Sequence, residues 1–289
     1  MTPVGSWWDG ARPKTLGVAI APVLVGTAAG ALGDSVRWTR ALAALVVALA
    51  LQVGVNYAND YSDGVRGTDK DRRGPVRLVA SGLASPAAVR NAAMLAFALA
   101  AGVGAVLALV VTPWLLLIGL AAIVAAITYT GGPKPYGYFG LGELMVLVFF
   151  GFVATVGSAF VQYRRIPAEA WWGALAVGLP ACAILLANNV RDVQSDVVAG
   201  KRTLAVRIGA PRARLLYVAC LEGALLAVVM CGAWHRWALI ALAAAPLTLT
   251  PARLVRTKSD PPALVAALVR TVRFQLVLAV LLALGLRLG

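Results

Sequence analysis

The sequence predicts an all-α, multi-pass transmembrane helical bundle of about nine helices, and three observations carry that reading. Of the 289 residues, 61% are hydrophobic, against roughly 45–50% apolar in an ordinary soluble domain. Only 13% are charged, about half the usual share, and the mean hydropathy is +0.83. The apolar residues also come in runs near the ~20 that a membrane-spanning helix needs. A soluble chain this apolar lacks the polar surface to cover itself. A cytosolic enzyme, a disordered protein and a disulfide scaffold are therefore excluded.

The expected spans are 15–33, 40–59, 88–111, 113–129, 142–162, 170–189, 212–233, 236–255 and 270–288. Trp7, Trp8, Asp9 and Arg12 precede the first, which argues against a cleaved signal peptide. The second and sixth end in acidic clusters. Pro113 separates the third from the fourth, so those two form a tight hairpin. The fifth opens with Glu143 after a Gly/Pro-rich loop that carries Lys134. Cys182, Cys220 and Cys231 fall in apolar runs without C-x-x-C spacing and read as buried, inert thiols. His235 sits in a turn between Trp234 and Trp237, as an interfacial residue. The whole chain, 1–289, reads as a single membrane domain, with two related halves suggested at about 1–135 and 136–289.

An odd number of spans puts the termini on opposite sides, which the basic residues test. The net charge is +14, from 26 Lys and Arg against 12 Asp and Glu. Only Arg37, Arg40, Arg164, Arg165, Arg236 and Arg287 fall on one side; the other twenty of the 26 fall with the N-terminus. The positive-inside rule then places the N-terminus and the long loops in the cytoplasm, in the cell membrane. The basic residues lie in short loops between apolar runs, which reads as topology and anionic headgroups and not as nucleic-acid binding.

Six of the twelve acidic residues sit in two clusters at the cytoplasmic ends of the second and sixth spans. If the helices continue, Asn56, Asn59, Asp60 and Asp63 share one face at i, i+3, i+4 and i+7. Asn188, Asp192 and Asp196 share another at i, i+4 and i+8. Four crossings separate the clusters, so both emerge on one side and face one site. Carboxylates on one face repel unless a cation lies between them. Oxygen donors without Cys or His select Mg²⁺ or Mn²⁺. Mg²⁺ prefers one or two carboxylates plus phosphate oxygens, so the neighbouring Arg and Lys imply a phosphorylated ligand. The bland alternative is a pair of solvated helix ends with ordinary Asp–Arg pairs.

The Asn59-Asp60-x-x-Asp63 run, the Asp192-x-x-x-Asp196 run and the nine apolar spans resemble the UbiA superfamily of intramembrane prenyltransferases. The strings Ala11-Arg12-Pro13-Lys14-Thr15-Leu16, Asn56-Tyr57-Ala58-Asn59-Asp60-Tyr61, Gly74-Pro75-Val76-Arg77 and Tyr129-Thr130-Gly131-Gly132-Pro133-Lys134-Pro135-Tyr136 are similar to its 1,4-dihydroxy-2-naphthoate branch. The resemblance implies that Asp60, Asp63, Asp192 and Asp196 hold two Mg²⁺ ions, for which Mn²⁺ can substitute, against a polyprenyl diphosphate. A third Asp, usual four residues after the second, is replaced by Gly67, with Asp69 the nearest further candidate. The resemblance implies diphosphate contacts from Arg12, Asn56, Asn59, Arg66, Asn188, Arg191 and Lys201. Arg12 and Lys14 also read as plain topology determinants. Acceptor contacts fall on Tyr129, Lys134, Tyr136, Tyr138 and Glu143, although an interfacial aromatic belt would explain the tyrosines alone. Glu143 either orients a substrate hydroxyl or pairs with Lys134.

The implied activity is transfer of a polyprenyl group to 1,4-dihydroxy-2-naphthoate with loss of CO₂ and diphosphate. One rival keeps the superfamily and changes the acceptor, for example to 4-hydroxybenzoate. Another is an ion-coupled transporter, which would place its carboxylates near the midplane and not at helix ends. A third, an alcohol phosphotransferase, lacks its eight-residue-spaced aspartate motif here.

Overall fold

The computed structural model describes residues 4–68 and 77–288, and among these residues all regular structure is helical. A short helix α1 (Val4–Ala11) leads through a tight turn at Pro13–Thr15 into α2 (Gly17–Gly30). Then come α3 (Trp38–Arg66), α4 (Pro86–Val110), α5 (Trp114–Thr128), α6 (Gly142–Tyr163) and α7 (Ala168–Val198). The short α8 (Leu204–Ile208) precedes α9 (Ala210–Gly232), α10 (Arg236–Thr257) and α11 (Pro261–Arg287).

All nine expected apolar segments are helical, but they are not equivalent. Among the described residues seven helices are long and apolar enough to cross a membrane: α3, α4, α6, α7, α9, α10 and α11. Counted as one span, the pair Val4–Thr15 and Gly17–Gly30, bent by 50°, raises that number to eight. The remaining segment, α5, is shorter, 15 residues rising ~22 Å, yet it returns the chain to the end of α3, where Thr130 donates to Asn59.

Three boundaries differ from the sequence reading for physical reasons. α3 and α7 run on to Arg66 and Val198 because the Asp-bearing faces of their ends are buried against the protein and remain helical. α11 begins at Pro261, capped by Asp260, whose carboxylate accepts the Ala263 N–H. Arg270 and Arg273, at the start of the expected last span, are exposed positions well inside α11; their charge lowers local hydropathy without breaking the helix.

α7 is the axis of the bundle. Its apolar stretch is 72% buried, against 28% for α4. It packs against α9, α11, α6 and α2, and its Ala and Gly side chains permit that closeness. α2 lies on the second half of α6, where a Cβ at Gly26 or Gly30 would collide with the carbonyl oxygens of Thr155 and Ala159. α6 widens into a π-helical turn at Leu147–Val153, where it passes Gly178 of α7. α3 and α4 form a smaller second core around Tyr57, Leu78, Val89 and Phe97.

The two ends of the bundle are defined by contacts. At one, Arg287 donates to the carbonyls of Ala31 and Asp34, Arg40 to Val161 and Gln162, and Arg165 pairs with Asp34. These belong to the six basic residues expected on the sparsely charged side. At the other end the C-termini of α3 and α7 meet, linked by Lys201 and Asp63.

Candidate functional site at the ends of α3 and α7

The α3 cluster is buried. Asn56, Asn59, Asp60 and Asp63 are each less than a tenth exposed, which polar groups tolerate only with partners. Asn56 donates to the Ala11 carbonyl (2.9 Å), tying α3 to the N-terminal helix. Asn59 accepts the Thr130 hydroxyl (2.7 Å) from the α5–α6 loop. Asp60 accepts two backbone N–H groups, Leu78 at 2.7 Å and Val79 at 3.0 Å, one on each oxygen. This places the turn after residue 77 against the helix. Arg77, at the start of that turn, comes to 3.8 Å from Asp63.

Asp63 is the meeting point. Its carboxylate accepts the Tyr138 hydroxyl at 2.6 Å and Lys201 Nζ at 3.1 Å. Burial, followed by the Asp63 charge, pushes the Tyr138 phenol up to about 12, so at neutral pH it is a protonated donor. Burial alone pushes Tyr136 up to about 12 as well. Lys201 Nζ also lies 4.8 Å from the centre of the Tyr138 ring. Arg66 donates to the carbonyls of Thr130 and Gly132, fixing the same loop. α3 ends at Gly67, whose φ of 70° suits glycine and lets its N–H return to Asp63 and Gly64.

The α7 cluster is satisfied differently. Asp192 takes a bidentate pair from its neighbour Arg191, both bonds 2.7 Å, with both side chains nearly buried. Asp196 accepts the Thr203 hydroxyl (3.3 Å), and its carbonyl accepts the Lys201 N–H (2.8 Å). That turn aims Lys201 back at α3. Arg202 donates its N–H to the Tyr138 carbonyl, closing the ring of contacts.

A cavity of about 1240 Å³ opens beside these clusters, larger than the ~300–1,000 Å³ of an ordinary small-ligand pocket. Arg12, Asn56, Asn59, Arg77, Asn188 and Arg191 line its polar end. Hydrocarbon side chains of α2, α3, α4, α5, α6, α7 and α11 line the remainder, as far as Gly157 and Val161 near the opposite end. Tyr129 and Tyr136 stand in its wall, rings 5.4 Å apart and edge to face. Arg12 adopts φ 58°, ψ 62° at the bend between α1 and α2. A non-glycine residue held in that left-handed region costs of order 1 kcal/mol, a strain that collects at functional sites.

Some expected residues lie elsewhere. Asp60, Asp63, Asp192, Asp196 and Lys201 form a layer behind the cavity wall and reach it through Arg77 and Arg191. Lys134 is exposed and off the wall, and Tyr138 turns toward Asp63. Glu143 is buried and takes Asn189 at 2.8 Å, so the Glu143–Lys134 pair is not formed. Asp69 lies outside the described residues. Thr203 takes part without having been expected to, and Arg77 and Thr130, expected only as members of the naphthoate-branch strings, take part as well.

A model of the UbiA prenyltransferase family matches residues 19–285. The chain belongs to the UbiA prenyltransferase family. A Mycobacterium tuberculosis protein named 1,4-dihydroxy-2-naphthoate octaprenyltransferase is 51% identical over 259 residues, 89% of this chain and 88% of its own length. The Escherichia coli protein of that name is 39% identical over 291 residues, covering 97% and 94%. Among solved structures, a UbiA homolog from Aeropyrum pernix K1 superposes with a TM-score of 0.69 at 16% identity, covering 96% of this chain and 98% of that one. One from Archaeoglobus fulgidus, bound to GPP and Mg²⁺, gives 0.67 at 14% identity, covering 96% and 99%. At those identities the superpositions establish the UbiA fold.

The donor chemistry of the two helix ends fits a hard divalent cation. The donors are oxygens only, from Asn59, Asp63, Asn188, Asp192 and Asp196, with no Cys or His beside them. Positive charge is already stabilised between the ends, where Lys201 bridges from α7 to Asp63. Among the described residues no three acidic, Cys or His side chains form a metal-binding group by themselves.

Proposed function

We propose that this chain transfers a polyprenyl group from its diphosphate to 1,4-dihydroxy-2-naphthoate, releasing CO₂ and diphosphate and giving demethylmenaquinol. The observation that carries the reading is the cavity. It joins a cationic, amide-lined end to a long hydrocarbon pocket, as a ligand with a charged head and an isoprenoid tail requires. The names of the M. tuberculosis and E. coli relatives supply the acceptor.

Arg12, Arg77 and Arg191 on the wall, with Lys201 behind them, attract the diphosphate and stabilise it as it departs. Asn59, Asp63, Asn188, Asp192 and Asp196 would hold Mg²⁺, as two ions for which Mn²⁺ can substitute. Once bound, the metal would neutralise the leaving group's charge. We assign Asp60 a different task from the other aspartates. It fixes the turn that carries Arg77 by accepting two backbone N–H groups, whereas Asp192 is held by a side chain, Arg191. The apolar walls take the tail and keep water from the allylic carbon. Tyr129 and Tyr136 border the space for the flat acceptor ring. The site end and the N-terminus face the cytoplasm of the plasma membrane, on the strength of the basic-residue asymmetry. A cysteine at the exposed Val65 should then label from inside and one at Arg164 from outside; labelling of both from one side contradicts this orientation.

The test is turnover by the purified protein with Mg²⁺ and a polyprenyl diphosphate. 1,4-Dihydroxy-2-naphthoate should be consumed with one CO₂ released per prenyl group transferred. Preference for 4-hydroxybenzoate, without CO₂, would replace the acceptor and leave the family intact.

A further inference from the structure

We infer that Gln52 recognises the hydroxyl at position 4 of the acceptor ring, an inference that rests on the naphthoate reading above. Gln52 lies on the same face of α3 as Asn56 and Asn59, one helical turn from Asn56 and ~6 Å closer to the membrane interior. It lines the cavity and is only 8% exposed. Its neighbours on that face have protein partners, Asn56 with Ala11 and Asn59 with Thr130. The Gln52 amide has none, and its Oε1 is buried without a hydrogen bond.

A primary amide placed among Val47, Ala48, Leu51 and Val55, without a partner, costs stability on folding. A ligand's polar group would offset that cost, and its identity can be narrowed by elimination. The isoprenoid tail offers no hydrogen bond. The diphosphate and the acceptor carboxylate belong at the cationic end, with Arg12, Arg77 and Arg191. In 1,4-dihydroxy-2-naphthoate the 1-hydroxyl sits beside the carboxylate and bonds to it internally. The 4-hydroxyl has no internal partner and is the polar group left for Gln52. An amide both donates and accepts, so it suits a hydroxyl whichever way its nitrogen and oxygen are oriented.

The test compares the wild type with Gln52→Met, which keeps length and removes the amide. The variant should raise KM for 1,4-dihydroxy-2-naphthoate about 10- to 100-fold. It should leave KM for the polyprenyl diphosphate unchanged. It should leave inhibition by 1-hydroxy-2-naphthoate, which lacks the 4-hydroxyl, unchanged as well. Its Tm should not fall, because no protein partner is lost. An unaltered KM for the dihydroxy acid, equal weakening of the monohydroxy inhibitor, or a lowered Tm overturns the assignment while the acceptor reading stands. A wild-type protein that fails to turn over the dihydroxy acid overturns the acceptor reading and Gln52's role together.

Discussion

The two aspartate clusters share a four-residue step from Asn to Asp but differ in what they hold. Asp60 and Asp192 occupy corresponding places, each four residues after an asparagine that lines the cavity. Asp60 accepts two backbone N–H groups and anchors a turn. Asp192 accepts a guanidinium and sets an arginine in the cavity wall. Asp63 and Asp196 differ as well. One collects Tyr138, Lys201 and Arg77 from three other segments, whereas the other stabilises the local turn that delivers Lys201. A shared Asn-x-x-x-Asp step therefore marks equal position and not equal work. Partners decide which carboxylate organises backbone and which organises charge.

Breaking the comparison at Asp63 should have the largest effect. Asp63→Asn should lower turnover about 100- to 1,000-fold, the range for removing one pre-set electrostatic group. The loss should appear in single-turnover prenyl transfer in detergent or nanodiscs. Asp60→Asn should act mainly on the fold. An amide presents an NH₂ to one of the two N–H groups, and the lost charge-assisted bond with the newly unsatisfied donor costs about 2–3 kcal/mol. Thermal unfolding should show that drop, with turnover falling less than for Asp63→Asn while the protein stays folded. Similar losses of activity, with no loss of stability from Asp60→Asn, would erase the distinction. The smallest effect belongs to Lys201→Met. It removes one point charge, so diphosphate affinity should weaken about 10-fold, and the unfolding temperature should fall as well, because buried Asp63 loses its cation partner.

The fold was largely legible in the sequence because a membrane imposes length and apolarity on each span. All nine segments were found, and even the tight α4–α5 connection followed from Pro113. What periodicity could not show was that α5 has only 15 residues, or that a left-handed residue, Arg12, precedes α2. Hydropathy averages over windows and is blind to one left-handed residue. The start of α11 was misplaced because Arg270 and Arg273 depress the average, although Asp260 and the two prolines carry a helix-start signal. In the site, the helical face of Asn56, Asn59, Asp60 and Asp63 and the pairing of clusters were readable from spacing alone. The roles of Thr130, Thr203 and Arg77 were not, since they depend on loops folding back onto α3 and α7. Gln52 left a readable trace, a polar residue one turn before Asn56 inside an apolar span.

The central claim is that the ends of α3 and α7 work as one site, and a double-mutant cycle tests it most directly. Turnover and polyprenyl diphosphate affinity should be measured across a Mg²⁺ titration for Asp63→Asn, Asp192→Asn and the double variant. Residues acting as a unit are strongly non-additive, so each single change should remove most activity and the double should be little worse than Asp63→Asn. Near-normal activity of Asp192→Asn at every Mg²⁺ concentration, or losses that simply multiply in the double variant, would show two independent helix ends.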